Sequence, residues 1–411
     1  MIKANRATLP NGLRIIHNYD SATAMVALNV LYNVGARDED PEMTGLAHLF
    51  EHLMFGGSAN IPDFDSAIEN AGGWNNAWTS NDFTNFYDIL PAHNAETAFW
   101  LESDRMLALA FSDKALEVQR NVVIEEFKQV CLNKPYGDMG HHLRSLIYTT
   151  HPYRFPVIGK EFSHIERVTQ NDVRNFFYSH YAPNNAVIAI SGHISWEETL
   201  RLANKWFGNI PRRDITPRLY GAEPEQIAPR TKNIIGNVPQ TALTIAFPMP
   251  GYDSPLYIPC DIITDLLAAG RSARFYQNLL MKTNLFTEVD ASISGSEEPG
   301  YLMLSAKLRD NSENTIAQAQ EAMINQALSL ADGSLTEYEL TRAINRYESN
   351  YTFGSINFLA KAQALALSEM HDEDINSIVP RYRSVTVDDI VKTTQLIIDP
   401  QRTSTLIYKP N

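Results

Sequence analysis

Cysteine is nearly absent: Cys131 and Cys260 are the only two in 411 residues. They stand in unrelated contexts, so neither a disulfide scaffold nor a thiolate metal site is available. No apolar run approaches the roughly 20 residues of a membrane span, and none is expected. Met1 to Gly12 mixes Lys3, Asn5, Arg6 and Pro10 and holds no apolar core of the kind that marks a secretory leader. The expectation is a cytoplasmic protein, or a periplasmic one if a leader has been trimmed from the start. Basic residues are also scarce, 34 Lys and Arg against 48 Asp and Glu, for a net charge of −14. Sequence-independent nucleic-acid binding needs cations to neutralise phosphate, so it is excluded as a function, and so is docking on an anionic membrane. The acidic surplus serves solubility, or alternatively lines a surface that attracts basic peptides.

What remains is ordinary in composition. Hydrophobic residues are 44% and charged residues 20%, which excludes general disorder. At roughly 100–200 residues per domain, the length predicts two or three domains.

One pattern is written twice. Val168-Thr169-Gln170-Asn171-Asp172-Val173, then Pro183, then Ala186 to Ile190, answers to Val385-Thr386-Val387-Asp388-Asp389-Ile390, then Pro400, then Ser404 to Tyr408. Thr169 and Thr386 are 217 residues apart. In each copy a Thr with an Asp three residues later reads as a helix start, Pro blocks the helix from continuing, and a β-branched strand follows. Thr23 to Leu28 and Thr241 to Ala246, 218 apart, pair in the same way as strands. Two related halves follow: 1–212, a Pro- and Gly-rich linker over 213–230 that includes Pro217, and 231–411. Strands are expected at Gly12–Asn18 and Met25–Val34. Helical periodicity runs over Leu46–Phe55, Ala95–Leu109, Leu116–Cys131, Thr315–Leu330 and Thr336–Tyr351. Strands grouped with helices packed on them make an α+β fold, each half a two-layer sandwich on a mostly antiparallel sheet.

The sharpest motif is His48-Leu49-Phe50-Glu51-His52. On a helix His48 and His52 are neighbours one turn apart, and two imidazoles so placed can grip one Zn²⁺. Glu51 shares their face and can take a proton from a water activated by the metal. This H-x-x-E-H order is the inverzincin signature. A catalytic zinc needs a third protein ligand and an open position. Arg120-Asn121-Val122-Val123-Ile124-Glu125-Glu126-Phe127 supplies two candidates, Glu125 and Glu126. Adjacent helical residues point about 100° apart, so only one can face the metal.

With these residues in view, the sequence resembles the pitrilysin/insulinase-type zinc peptidases, in the branch of short bacterial members and the mitochondrial processing peptidase beta subunit. Leu9 to Arg14, Gly45 to Gly56, Gly72 to Ser80, Thr84 to Tyr87, Leu101 to Met106, Arg120 to Glu126, His151-Pro152-Tyr153 and Tyr181 to Asn185 carry the resemblance. It implies His48, His52 and Glu126 as ligands of one zinc ion per chain and Glu51 as the general base. It also implies an edge strand from Ala77 to Thr84, to which a peptide substrate adds as a further strand, with Asn76, Ala77, Trp78 and Thr79 as substrate-binding residues.

Two departures bear on function. The family's Glu seven residues before the ligand Glu is here Gln119, a neutral residue beside the metal ligands. The Arg and Tyr that hold substrate in the second half of many members fall at Leu280 and Thr287, and the nearby Arg274 and Tyr276 read as helix packing. At the 217-residue offset, Asp265 to Ala269 stands opposite His48 to His52. The resemblance therefore implies the zinc-bearing subunit of a heterodimer, whose homologous partner lacks zinc ligands and brings the Arg and Tyr; a homodimer is the lesser expectation. The competing expectation is a non-catalytic assembly subunit of the same fold. A purely structural zinc site is a third, which usually has four protein ligands where three are visible here. His141, His142 and His151 lie in a polar stretch and read as surface or loop residues.

Overall fold

A computed structural model describes residues 1–411 except Pro217 and Leu219, which lie outside the described residues. Six strands form the first sheet: β1 (Asn5–Thr8), β2 (Arg14–Tyr19), β3 (Met25–Tyr32), β4 (Trp74–Thr79), β5 (Thr84–Pro91) and β6 (Ala186–Gly192). Their order is β1-β2-β6-β3-β5-β4, with only β2 and β6 parallel. Five strands form the second: β7 (Arg230–Gly236), β8 (Ala242–Met249), β9 (Phe286–Ser294), β10 (Gly300–Leu308) and β11 (Ser404–Pro410). Their order, β7-β11-β8-β10-β9, repeats β2-β6-β3-β5-β4, and the single parallel pair falls in the same place. The repeat read from sequence is thus a repeat of topology.

The capping signals behave as their chemistry requires. Thr169 and Thr386 each accept the amide of the Asp three residues on, and each Asp returns the bond to the Thr amide. In the first half the helices packed on the first sheet include α1 (Leu46–Phe55), α2 (Phe64–Asn70), α3 (Ala95–Leu107) and α4 (Asp113–Phe127), followed by the short Phe162–Glu166, Gln170–His180 and Trp196–Phe207. They cover one face of the first sheet. Alternate strand residues, such as Val26, Leu28 and Val30, meet Phe50, Phe99, Val123, Phe177 and Phe207 in one buried cluster. The residues between them, Ala27 and Leu31 with Val187 and Ala189, face the other way. There they bury against Ala362, Leu365 and Ala366 of the helix Phe358–Met370.

That helix comes from the second half of the sequence. The first compact unit comprises Met1–Lys128, Phe155–Tyr220 and Tyr351–Ile378; the second comprises Gln129–Arg154, Gly221–Asn350 and Val379–Asn411. In the second unit the helix Met139–Ile147, from the first half, buries Leu143 and Ile147 against Ala246, Tyr301 and Leu406 of the second sheet. Each half of the sequence therefore lends one helix to the other half's sheet.

Within the second unit, Glu223 of the linker sits in a turn of backbone amides. Its carboxylate accepts the Thr149, Thr150 and His151 N–H groups at 2.7–2.9 Å and both threonine hydroxyls. Burial raises its pKa, but these donors outweigh burial and carry it down to about 2. A depressed carboxylate contributes stability above its unfolded pKa and loses it as pH falls from the ordinary range towards 2. Glu223→Ala is expected to cost about 1 kcal/mol at pH 7, discounted for its exposure, and nothing near pH 2; thermal melts at the two pH values check this.

Candidate metal centre

The sequence of α1 divides the helix cleanly. Leu46, Ala47, Leu49, Phe50, Leu53 and Met54 are buried, and Phe50 stacks on Tyr181 at 4.6 Å between ring centres. The apolar stripe seats the helix on the core and leaves His48, Glu51, His52 and Phe55, spaced i, i+3, i+4, i+7, on the half-exposed face. The two imidazoles meet edge to face at 4.9 Å.

α4 runs beside α1, started by Ser112, whose hydroxyl accepts the Ala115 amide at 3.1 Å. Leu116, Val123, Ile124 and Phe127 are its buried residues, and this phase sends Glu125 and Glu126 to different surroundings. Glu126 Oε2 lies 3.5 Å from His52 Nε2 and 3.7 Å from His48 Nε2. Glu125 points to solvent, its side chain 72% exposed, and pairs with Lys128 at 2.7 Å.

His48, His52 and Glu126 offer ligand atoms that all lie within 4.8 Å of one another, the one such group of three or more His, Cys, Asp or Glu residues among the described residues. Zinc bonds of about 2.0–2.2 Å in a tetrahedron place neighbouring ligand atoms about 3.3–3.6 Å apart, so the two N···O separations fit one ion with little movement. The donor set, two imidazoles and a carboxylate, is that of a three-ligand zinc site with a position left open. Burial lowers the pKa of His48; Glu126 raises it and His52 lowers it again, and the net direction favours the neutral imidazole that a metal requires. His48 Nδ1 is buried without a hydrogen-bond partner, and Gln119, half-buried two turns up α4, does not reach it.

Glu51 lies on the same face of α1. Its Oε2 accepts the Thr79 hydroxyl at 2.6 Å. Burial raises the Glu51 pKa, the Thr79 bond lowers it and the charge of Glu126 raises it, with a net upward direction. Thr79 ends β4, which is the edge of the first sheet and has a strand on one side only. The edge strand covers Trp74–Thr79 rather than Ala77 to Thr84. The chain turns at Ser80, whose hydroxyl takes the Asp82 and Phe83 amides at 3.1 and 2.9 Å, and Thr84 already belongs to β5. Asn76, Ala77, Trp78 and Thr79 all lie on β4. Asn76 is exposed and Ala77 packs towards α1, while Trp78 packs on the opposite face beside the helix Phe358–Met370.

The other sequence candidates resolve differently. Arg274 is buried and pairs with Glu339 at 3.0 Å, a packing role. Leu280 ends a π-helical turn, and the Thr287 hydroxyl contacts the Lys307 carbonyl at 3.3 Å. Asp265, opposite His48 in the repeat, faces Arg346 at 3.6 Å. His151 is in a loop but buried, against Tyr153 at 4.4 Å, because its aromatic neighbours enclose it. Sequence reading missed Thr79 as a partner of Glu51, since the contact joins positions 28 residues apart.

A family model described as "Insulinase (Peptidase family M16)" matches residues 14–159, and one described as "Peptidase M16 inactive domain" matches residues 167–347. Zinc protease PqqE of Helicobacter pylori is 24% identical over 99% of this chain and 93% of its own length. Mitochondrial-processing peptidase subunit beta of Saccharomyces cerevisiae is 24% identical over 82% of this chain and 75% of its own. The crystal structure of a protease from Helicobacter pylori superposes over 100% of both chains with a TM-score of 0.93 at 23% identity, a likeness of fold.

Proposed function

Because the chain belongs to the insulinase family of peptidases, M16, we propose that it is a zinc-dependent metalloendopeptidase that cleaves short or unfolded peptides, with Glu51 as general base. The observation that carries this reading is the meeting of His48, His52 and Glu126 at separations suited to one ion, on the surface that also holds Glu51. The relatives named zinc proteases support it.

A bound Zn²⁺ would supply Lewis acidity, polarising the scissile carbonyl and lowering the pKa of a water towards about 7. Glu51 takes the water's proton and returns it to the departing amine, and its raised pKa suits both steps. Thr79 orients the Glu51 carboxylate and stabilises its charge. Asn76 to Thr79 lie along the free edge of β4, where an extended peptide would pair backbone to backbone, a mode that reads shape more than side chain. The Thr79 bond makes a specific prediction. Thr79→Val removes a donor to the charged form, so the Glu51 pKa rises and the acid side of the kcat/KM profile moves to higher pH. Activity should fall several-fold at pH 6 and much less at pH 8, as a charge-assisted hydrogen bond would give.

The absence of an Arg and Tyr at Leu280 and Thr287 supports a further step: the active species is a heterodimer with a homologous subunit that lacks the metal residues. Zinc stoichiometry and cleavage of an unstructured peptide, with the purified chain alone and with its candidate partner, test both parts. Full activity of the chain alone would refute the heterodimer. Zinc bound with no cleavage under either condition would refute the peptidase.

A further inference from the structure

α1 begins only two residues before His48, so whatever fixes its first turn also fixes that imidazole. The amides at a helix start have no partner within the helix and must find one outside it. Glu39, buried, takes two of them: its carboxylate accepts Gly45 N–H and Ala47 N–H, each at 2.8 Å.

The residue before these is held from much farther away. Thr44, fully buried, directs its amide to Nδ1 of His164 at 3.1 Å, and its hydroxyl oxygen lies 2.9 Å from the same nitrogen. The hydroxyl also accepts the Lys160 amide at 2.8 Å. A backbone N–H can only donate, so Nδ1 carries no proton, and the ring proton sits on Nε2, facing Glu161 Oε1 at 3.2 Å. The two stretches touch through backbone. Gly45 and Gly159 both have positive φ, 90° and 99°. A Cβ on Gly45 would lie 2.8 Å from Ile165 Cδ1, and one on Gly159 would lie 2.9 Å from the Thr44 carbonyl oxygen. The helix start and the 158–165 segment are thus locked together at a contact too close for any side chain, with His164 as its directed bond.

We propose that His164 is a positioning residue for the metal centre: by accepting the Thr44 amide it sets the register and tilt of the first turn of α1, and with them the place of His48 relative to Glu126. This rests on the metal reading above. A role in packing alone makes a different demand, since packing needs the volume of a side chain and positioning needs its acceptor.

Leucine and asparagine separate the two, because they have nearly the same shape and only asparagine can accept the Thr44 amide. Zinc affinity is measured for wild type, His164→Asn and His164→Leu by competition with a chromophoric chelator, beside the melting temperature of each metal-free chain. His164→Leu should bind zinc about tenfold or more weakly than wild type, the scale of an outer-shell loss, with His164→Asn restoring at least about fivefold of it. A smaller gap, or leucine binding the tighter, overturns the proposal. If His164→Leu does not fold, His164→Asn decides: zinc held within about fivefold of wild type supports the proposal, and weaker binding overturns it. Wild type taking no zinc sinks the metal reading itself, and that result is visible before any variant is compared.

Discussion

Glu51→Gln should keep its zinc and lose cleavage by about 10³-fold, or about 4 kcal/mol of transition-state stabilisation. The substitution changes one atom and no volume. Glutamine's carbonyl can still accept the Thr79 hydroxyl that Glu51 accepts at 2.6 Å, so the side chain keeps its place. The metal residues do not depend on Glu51; the charge of Glu126 works against a second carboxylate nearby, which is part of why the Glu51 pKa is raised. Zinc affinity should therefore hold or rise slightly. What vanishes is the ability to take a proton at the reacting centre. Metal analysis of the purified variant, with kcat/KM on an unstructured fluorogenic peptide, reads both halves of the expectation. Zinc and activity lost together would make Glu51 a structural residue; activity retained would remove it from the mechanism.

Much of this site was legible in the sequence because it is local. The apolar positions of Leu46 to Phe55 specify both the helix and the face it buries, and that face fixes where His48, Glu51 and His52 point. The capping residues Thr169 and Thr386 gave away the repeat for the same reason: each makes its bonds within three residues. The edge strand ends at Thr79 rather than Thr84, where the Ser80 hydroxyl takes the Asp82 and Phe83 amides and turns the chain, a bond that no periodicity marks.

Other features lie beyond any local pattern. The exchange of the helices Phe358–Met370 and Met139–Ile147 leaves no mark on periodicity, because an amphipathic stripe states that a helix needs a sheet and not which one. No local pattern singles out His164; only the fold brings Thr44, 120 residues away, to its ring nitrogen. Position 151 shows the same limit in reverse, a histidine in polar sequence that its aromatic neighbours bury.

The choice between Glu125 and Glu126 is the point at which structure adds most to sequence, and it yields the second large effect. If His48, His52 and Glu126 hold the ion as proposed, Glu126→Gln should weaken zinc binding by more than about 100-fold, because it removes the only negative charge among the three. Glu125→Gln should leave zinc binding within about twofold, since it breaks only the exposed pair with Lys128, of a kind worth about 0–1 kcal/mol. Loss of zinc in Glu126→Gln could not be blamed on protonation of His48. Burial lowers the His48 pKa and the Glu126 charge raises it, so removing that charge keeps His48 neutral to lower pH than before. His48 would remain able to bind metal, and the lost affinity would report the carboxylate. Chelator competition on both variants checks this, and the reverse order, with Glu125→Gln the weaker, would mean that α4 presents its other face to the metal.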